Sequence, residues 1–489
     1  MIQTPEWVKD AVFYQIFPDR FAQSARVTKG RLVPWEAPPP DKGYQGGDLL
    51  GVVERLDYLQ DLGITAIYLN PIFQSACNHR YHTHDYYQVD PMLGGNAALR
   101  ELVDAAHKRN MRIVLDGVFN HASRGFFQFN DILEQGKASA YIDWFTITGW
   151  PLHPYDMTKP PNYLAWVGLR DLPKINTDNG QAREFLMQVA EYWVREFEID
   201  GWRLDVAAEI TTPGFWEEFR QRVKAINPEA YIVAEIWHEA KRWLQGDKFD
   251  ATMNYEFTGP VIAFCGGDRV SEVLVKGRDY KPHPALDAAG YGRAIQRLLN
   301  LYDWNVTQVQ LNSLDSHDTA RLLSIARSDK DTIRLGTLLQ MTYPGAPCVY
   351  YGDEIAIRGS ANTEEPFHDR EARWTFPWQD ESQWDKEMLA YFQKVIALRH
   401  AQPSLRRGSY HELYAAGEVY AFVRQLADEV LITAVNVSTK PQTATVPVNG
   451  LVGDGVGLRP LFGLSDQVVV VHDGRVQLTL PARSGLVLK

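Results

Sequence analysis

The stretch Gly201-Trp202-Arg203-Leu204-Asp205 decides the reading of this chain. It is a short run of strand length that ends on a carboxylate. Ala182–Phe197 precedes it with helical spacing of apolar residues, and Phe215–Ala225 follows it in the same way. Next comes Tyr231–Glu235, a second short β-rich run that also ends on a carboxylate. Strand, helix, strand in this rhythm is the βαβ unit, because parallel neighbours need a crossover between them.

Outward from this unit the rhythm continues. Toward the N-terminus lie the strand Arg112–Val118 after the helix Leu99–Arg109, the strand Ile64–Leu69 after the helix Glu54–Leu62, and a first strand at Ala11–Phe17. Toward the C-terminus, strands are expected at Phe249–Asn254, Val309–Leu314 and Cys348–Tyr351. Eight β units with intervening helices predict an α/β fold, a parallel (β/α)8 TIM barrel.

Two regions break the pattern. Residues 121–172 are rich in aromatics, Pro and Asn without clean periodicity, too long for an ordinary loop. They predict a small inserted domain after the third strand. Alternating, β-branched segments at Glu418–Arg424, Glu429–Val437, Gln442–Val448, Val468–Val471 and Val476–Leu480 predict a C-terminal antiparallel β-sandwich over 404–489. The barrel then takes 1–120 and 173–403. Pro34–Gly43 reads as a loop.

Composition narrows the function classes. With 489 residues, 45% of them hydrophobic, the chain can fill more than one core. A net charge of −11 without a basic run argues against nucleic acid or an anionic membrane as partner. Its 58 aromatic residues (14 Trp, 23 Tyr and 21 Phe) mostly belong to the core, although sugar C–H groups also pack on aromatic faces. Cys77, Cys265 and Cys348 form no C-x-x-C pair and no disulfide framework, which suits a reducing compartment. No signal-peptide pattern or membrane-length apolar run is visible, so a cytoplasmic location is expected.

Reactive groups in such barrels sit at the C-terminal ends of strands. Asp116 ends the third strand in Asp116-Gly-Val-Phe-Asn120-His121, Asp205 the fourth, and Glu235 the fifth in Ala234-Glu235-Ile-Trp237-His238. Asp318 follows the seventh in Ser316-His317-Asp318. A lone carboxylate there commonly caps the next helix. Four at strand ends, with His and Arg beside them, fit glycosidic cleavage better. One carboxylate attacks the anomeric carbon, and a protonated second serves the leaving oxygen. An adjacent Arg would keep the nucleophile ionised.

These motifs, in order and at comparable spacing, resemble the four signature regions of the α-amylase family, glycoside hydrolase family 13. Leu172-Pro-Lys-Ile-Asn176 and Gly63-Ile-Thr-Ala-Ile-Tyr-Leu-Asn-Pro-Ile-Phe73 resemble the neopullulanase, cyclomaltodextrinase and maltogenic amylase group. Asn78-His-Arg-Tyr-His-Thr-His-Asp-Tyr-Tyr-Gln-Val-Asp90, and the absence of a long N-terminal extension, look closest to cyanobacterial-type debranching members. The resemblance implies Asp205 as nucleophile, Glu235 as acid/base and Asp318 as the binder of the cleaved sugar's hydroxyls. It implies that Arg203 orients Asp205 and that His121 and His317 bond the same sugar. Tyr81 would stack beneath that sugar, with His79 at its edge and Trp237 on the leaving-group side. Asp116 and Asn120 are expected to be structural supports.

No metal or other cofactor is expected to be essential. His79, His82 and His84 crowd one segment, yet no cysteine or carboxylate at zinc-like spacing is recognised beside them. In typical α-amylases Asn120 would ligate calcium with a His where this chain has Ala208-Glu209. The loop before Gly46-Gly47-Asp48 carries Gln23-Ser-Ala-Arg26 instead of an acidic run. Gly352-Asp353-Glu354 reads as a supporting turn and Asp369-Arg-Glu-Ala-Arg373 as a solvated loop.

The activity expected is retaining hydrolysis of α-1,4 and some α-1,6 glucosidic bonds in maltooligosaccharides, cyclodextrins, pullulan or starch, with transglycosylation. A glucanotransferase or a trehalose-synthase-like isomerase would share the same carboxylates. A non-catalytic carbohydrate-binding relative would have lost them. The partner expected is an α-glucan, with oligomeric state open, a homodimer included.

Overall fold

The computed structural model describes residues 2–276, 284–360, 362, 368–463 and 467–489. Eight parallel strands form the centre: β1 (Phe13–Ile16), β2 (Ala66–Leu69), β3 (Arg112–Gly117), β4 (Gly201–Leu204), β5 (Tyr231–Ala234), β6 (Ala251–Thr252), β7 (Leu311–Ser313) and β8 (Ala346–Tyr350). They are hydrogen-bonded in the order β6-β5-β4-β3-β2-β1-β8-β7. A parallel bridge from Met253 to Leu311 joins the two ends, so the sheet closes as the sequence predicts. Strands buried on both faces need apolar residues on both, which is why these runs read so clearly.

Register carries the chemistry. Asp116 of β3 pairs with Arg203 of β4, and Arg203 in turn with Val233 of β5. Side chains alternate along a strand. Trp202 points outward and donates from its indole to the Ala190 carbonyl of the helix Gly180–Glu196. Arg203 therefore points inward. Gly201 begins β4 because a Cβ there would lie 2.2 Å from the Tyr231 carbonyl oxygen.

Between β3 and the helix Gly180–Glu196 the chain leaves the barrel. This excursion holds the helix Phe127–Gln135, short 3-10 turns and isolated antiparallel bridges. One of those, His121 to Lys174, ties its beginning to its end over the barrel mouth. A hairpin of Phe73–Ser75 and Thr83–Val89, not anticipated from the sequence, rises after β2.

The C-terminal part is a β-sandwich. One sheet has five strands, in the order Ser409–Ala416, Val419–Leu426, Glu429–Asn436, Ser484–Leu488, Pro460–Phe462. Ala421, Val423, Ile432 and Ala434 of this sheet pack against Ala444, Val446, Val476 and Leu478 of the facing pair. Its other face joins the barrel core through Tyr410, Tyr420 and Phe422. The buried Arg424 fastens this seam by donating to the carbonyls of Thr342, Leu405, Gly408 and Ser409. Among the described residues, no helix is long and apolar enough to cross a membrane.

The β4–β5 approach yields a prediction. Gly201→Ala should destabilise the fold by about 1–3 kcal/mol, since the new methyl meets backbone that cannot step aside. Urea unfolding checks this, and an unchanged midpoint would contradict it.

Candidate active site

The inward side chains of β3 to β5 meet on one guanidinium. Arg203 Nη1 donates to Asp116 Oδ1 at 2.9 Å and Oδ2 at 3.1 Å, and to Asp205 Oδ1 at 3.0 Å. Its Nη2 lies 2.9 Å from Glu235 Oε1, an ion-pair contact without the alignment of a hydrogen bond. Asp116 is also held by the Tyr68 and Tyr81 hydroxyls, each at 2.8 Å. With Tyr68 and Arg203 it forms a buried layer below the cleft.

Asp205 and Glu235 lie just beyond the ends of β4 and β5 and line one cleft. After Asp205 the chain turns sharply. Val206 takes φ 38°, a left-handed conformation that a β-branched residue adopts only under constraint. This turn points the Val206 N–H at Glu235 Oε2, 2.9 Å away. Trp237 donates its indole N–H to Glu235 Oε1 at 3.1 Å, and its ring stacks on Tyr255 at 3.8 Å between centroids. One face of Trp237 thus packs on Tyr255, and the residue lines the cleft.

Asp318 completes the carboxylate set. It accepts from His317 Nε2 at 3.0 Å and from Arg373 at 3.1 Å. Gln15 and Asn70 amides donate to His317 Nδ1, at 2.8 and 3.2 Å, which assigns the ring proton to Nε2, facing Asp318 and the Tyr81 hydroxyl. Tyr81 and His317 lie parallel within 6°. His121 is buried, stacks against Trp166 and leaves Nε2 unpaired among the described residues, at the cleft wall. Asn120 donates to His121 Nδ1 at 3.2 Å and so fixes the ring.

The charge states divide sharply. Burial, then the neighbouring Glu235 charge, pushes the Asp205 carboxyl well above its ordinary range against the pull of Arg203. Arg203 alone therefore does not keep Asp205 ionised, as the sequence suggests it would; its charge is shared with Asp116 and Glu235. Burial also opposes the charge on Asp318, but His317 and Arg373 hold that carboxyl below the ordinary range. Burial pushes His121 down to about 3, so it is a neutral hydrogen-bonding group at working pH.

Four readings need correction or addition. Asp369 and Arg373, taken as a solvated loop, line the cleft, and Arg373 grips Asp318. Trp166, Leu169 and Leu172 form a wall that no periodicity announced; only their place in an aromatic insertion hinted at it. His82 lines the cleft with His79, whereas His84 packs under Gly125. Cys77, dismissed as a partner for these histidines, brings its thiol to within 3.5 Å of His79 Nδ1. Glu354 is a brace as expected, accepting from the Tyr14 and Tyr58 hydroxyls and the Gly352 N–H.

The two calcium positions suggested by the family are poorly furnished. Asn120 Oδ1 is unpaired among the described residues, but the ammonium of Lys174 bonds the Glu209 carbonyl on the segment where the second ligand would stand. In the N-terminal loop, Lys29 Nζ lies 2.5 Å from Asp48 Oδ2 and 3.3 Å from the Ser24 carbonyl. Calcium takes six to eight oxygens, and a lysine ammonium beside the donors of each position opposes such a cation.

A (β/α)8 barrel with carboxylates gathered by one arginine at its C-terminal rim defines the glycoside-cleaving class. The chain belongs to the α-amylase family, glycoside hydrolase family 13. The family's catalytic-domain model matches residues 15–382, and the α-amylase C-terminal domain matches 408–488. The chain is similar to a Bacillus sp. cyclomaltodextrinase, 42% identical over 89% of this chain and 74% of the relative. Neopullulanase 2 of Thermoactinomyces vulgaris is 39% identical over 99% of this chain and 78% of the relative. The native structure of the Nostoc punctiforme debranching enzyme superposes with a TM-score of 0.91, at 52% identity over 100% of this chain and 99% of that one.

Arg203→Met should cost about 3–5 kcal/mol, because it strands buried carboxylates. Carboxylates without their cation bind protons more tightly folded than unfolded. The variant should therefore lose stability further as pH rises from about 5 to about 8. Denaturant midpoints across that range test the sign, and a stability that rises with pH would contradict it.

Proposed function

We propose that Asp205 is the nucleophile and Glu235 the general acid/base in retaining hydrolysis of α-1,4 glucosidic bonds, with some α-1,6 cleavage, in short, cyclic or branched α-glucans. The observation that carries this reading is the convergence of Asp205, Glu235 and Asp318 on one cleft with Arg203 behind the first two.

The pair meets the demands of the reaction. Two adjacent buried carboxyls beside one shared cation retain a proton between them more readily than two full charges. Sugar binding would complete the assignment, with the proton on Glu235 toward the glycosidic oxygen and Asp205 free to attack. The bond from C1 to the leaving oxygen breaks as the Asp205 ester forms. Glu235, now a base, then takes a proton from water, and that water releases the sugar with its α configuration restored. A sugar hydroxyl in place of water gives transglycosylation.

Asp318, kept ionised, would accept hydrogen bonds from the hydroxyls of the cleaved sugar. Neutral His121 would bond the same ring above Tyr81, with His79 at its edge, whereas His317 is buried outside the cleft lining and would act by orienting Asp318 and Tyr81. The cleft holds about 420 Å³, the scale of a small-ligand site. The similarity to a cyclomaltodextrinase and to a debranching enzyme supports cyclic and branched α-glucans. The three unpaired cysteines support a reducing, cytoplasmic setting.

Glu235→Gln should lower kcat on maltotriose by roughly 10²–10⁴-fold, yet spare aryl glucosides whose leaving groups need no proton. Equal losses on both would remove Glu235 from the acid role. Because Asp205 is pushed up, the acid limb of kcat/KM should have its midpoint above about 3.9, the ordinary aspartate value. A profile still flat below that pH would contradict the assignment.

A further inference from the structure

We propose that Cys77, His79 and His82 form a binding site for a zinc-class divalent cation on the wall of the catalytic cleft, and that the bound ion blocks substrate. Sγ of Cys77 and one ring nitrogen from each histidine all lie within 4.8 Å of one another. Two of the donors already stand at coordination spacing. Zn–S of about 2.3 Å and Zn–N of about 2.0–2.1 Å at a tetrahedral angle put S and N roughly 3.5 Å apart. Cys77 Sγ and His79 Nδ1 are 3.5 Å apart, and an ion there would take the place of the Tyr81 N–H from which Nδ1 now accepts at 3.2 Å. The His79 and His82 rings meet edge to face at 5.0 Å, so a small turn of His82 closes the third side.

The donor set selects the ion. One thiolate and two imidazoles suit zinc, cobalt or cadmium and disfavour calcium or magnesium, which require oxygen. Three protein ligands leave a fourth position for water from the cleft. Binding replaces the S–H bond of Cys77 with an S–metal bond, and the proton leaves to solvent. His79 and His82 both line the cleft that holds Asp205, Glu235 and Asp318. An ion on them would occupy the edge of the sugar site and turn His79 away from substrate.

The other two thiols cannot confuse the measurement. Cys265 and Cys348 are buried, and among the described residues neither belongs to a cluster of metal-ligating side chains. Cys77 is partly exposed and is not among the residues lining the cleft.

The test uses the whole chain and cobalt as a spectroscopic probe. Cobalt added to the wild type should give a thiolate-to-cobalt charge-transfer band and tetrahedral visible bands, both abolished by zinc. Cys77→Ser and, independently, Cys77→Ala should lose the charge-transfer band while circular dichroism shows the native fold. Zinc should raise KM for maltotriose with kcat unchanged. Cys77→Ser should keep its basal activity and need at least tenfold more zinc for the same inhibition. The spectroscopic arm does not depend on the proposed activity, so its failure is distinct from a failure of that reading. No thiolate band in the wild type, or equal zinc inhibition of wild type and Cys77→Ser, overturns the site.

Discussion

The guanidinium of Arg203 is the constraint around which this molecule is arranged. It is fully buried and faces Asp116, Asp205 and Glu235 from the centre of the barrel mouth. Burial disfavours its charge, but Asp116 and Glu235 more than restore it. One cation facing three carboxyls leaves an excess of negative charge in a low-dielectric place. Such a cluster lowers its energy by holding a proton, and Asp205 and Glu235 are the members open to the cleft. This charge imbalance suits the acid-assisted glycosidic cleavage proposed for the pair.

The geometry of the hub follows from strand register. Asp116 and Arg203 face inward because they are paired across β3 and β4, and Glu235 follows the last paired residue of β5. The close β4–β5 approach needs Gly201, and the left-handed turn at Val206 sends an N–H to Glu235. Backbone strain next to Asp205 and Glu235 and tight packing beneath them are two parts of one device. The cleft-lining parts come from segments outside the barrel strands: Tyr81, His79 and His82 from the region of the hairpin after β2, Trp166 and Leu169 from the excursion after β3, and Arg373 from a loop after β8.

That division explains what was legible in the sequence. Barrel strands such as Arg112–Gly117 and Gly201–Leu204 are buried on both faces, so their apolar runs stand out, and the carboxylates at their ends announce the chemistry. The hairpin strand Thr83–Val89 carries Thr, His, Asp and Gln because only part of it is covered, and it has no apolar run to read. Ser409–Ala416, an edge strand of the sandwich, escaped for the same reason. Trp166 and Arg373 work from irregular backbone, where position depends on tertiary contacts rather than on any period. Cys77 stands in a C-x-H-x-x-H order that matches no common zinc spacing, and the turn at Arg80, with φ 57°, lies between the Cys77–His79 pair and His82, which all come together.

The central claim is that Asp205, fixed by Arg203, attacks the sugar while Glu235 handles the proton. The most direct measurement is to react the Glu235→Gln variant with a fluorinated α-glucosyl fluoride, whose departure needs no acid, then digest the protein and locate the added sugar by mass spectrometry. The account predicts a covalent glycosyl ester on the peptide containing Asp205. An adduct on the peptide containing Asp318, or turnover of the fluoride to an inverted β-product with no adduct, would contradict it.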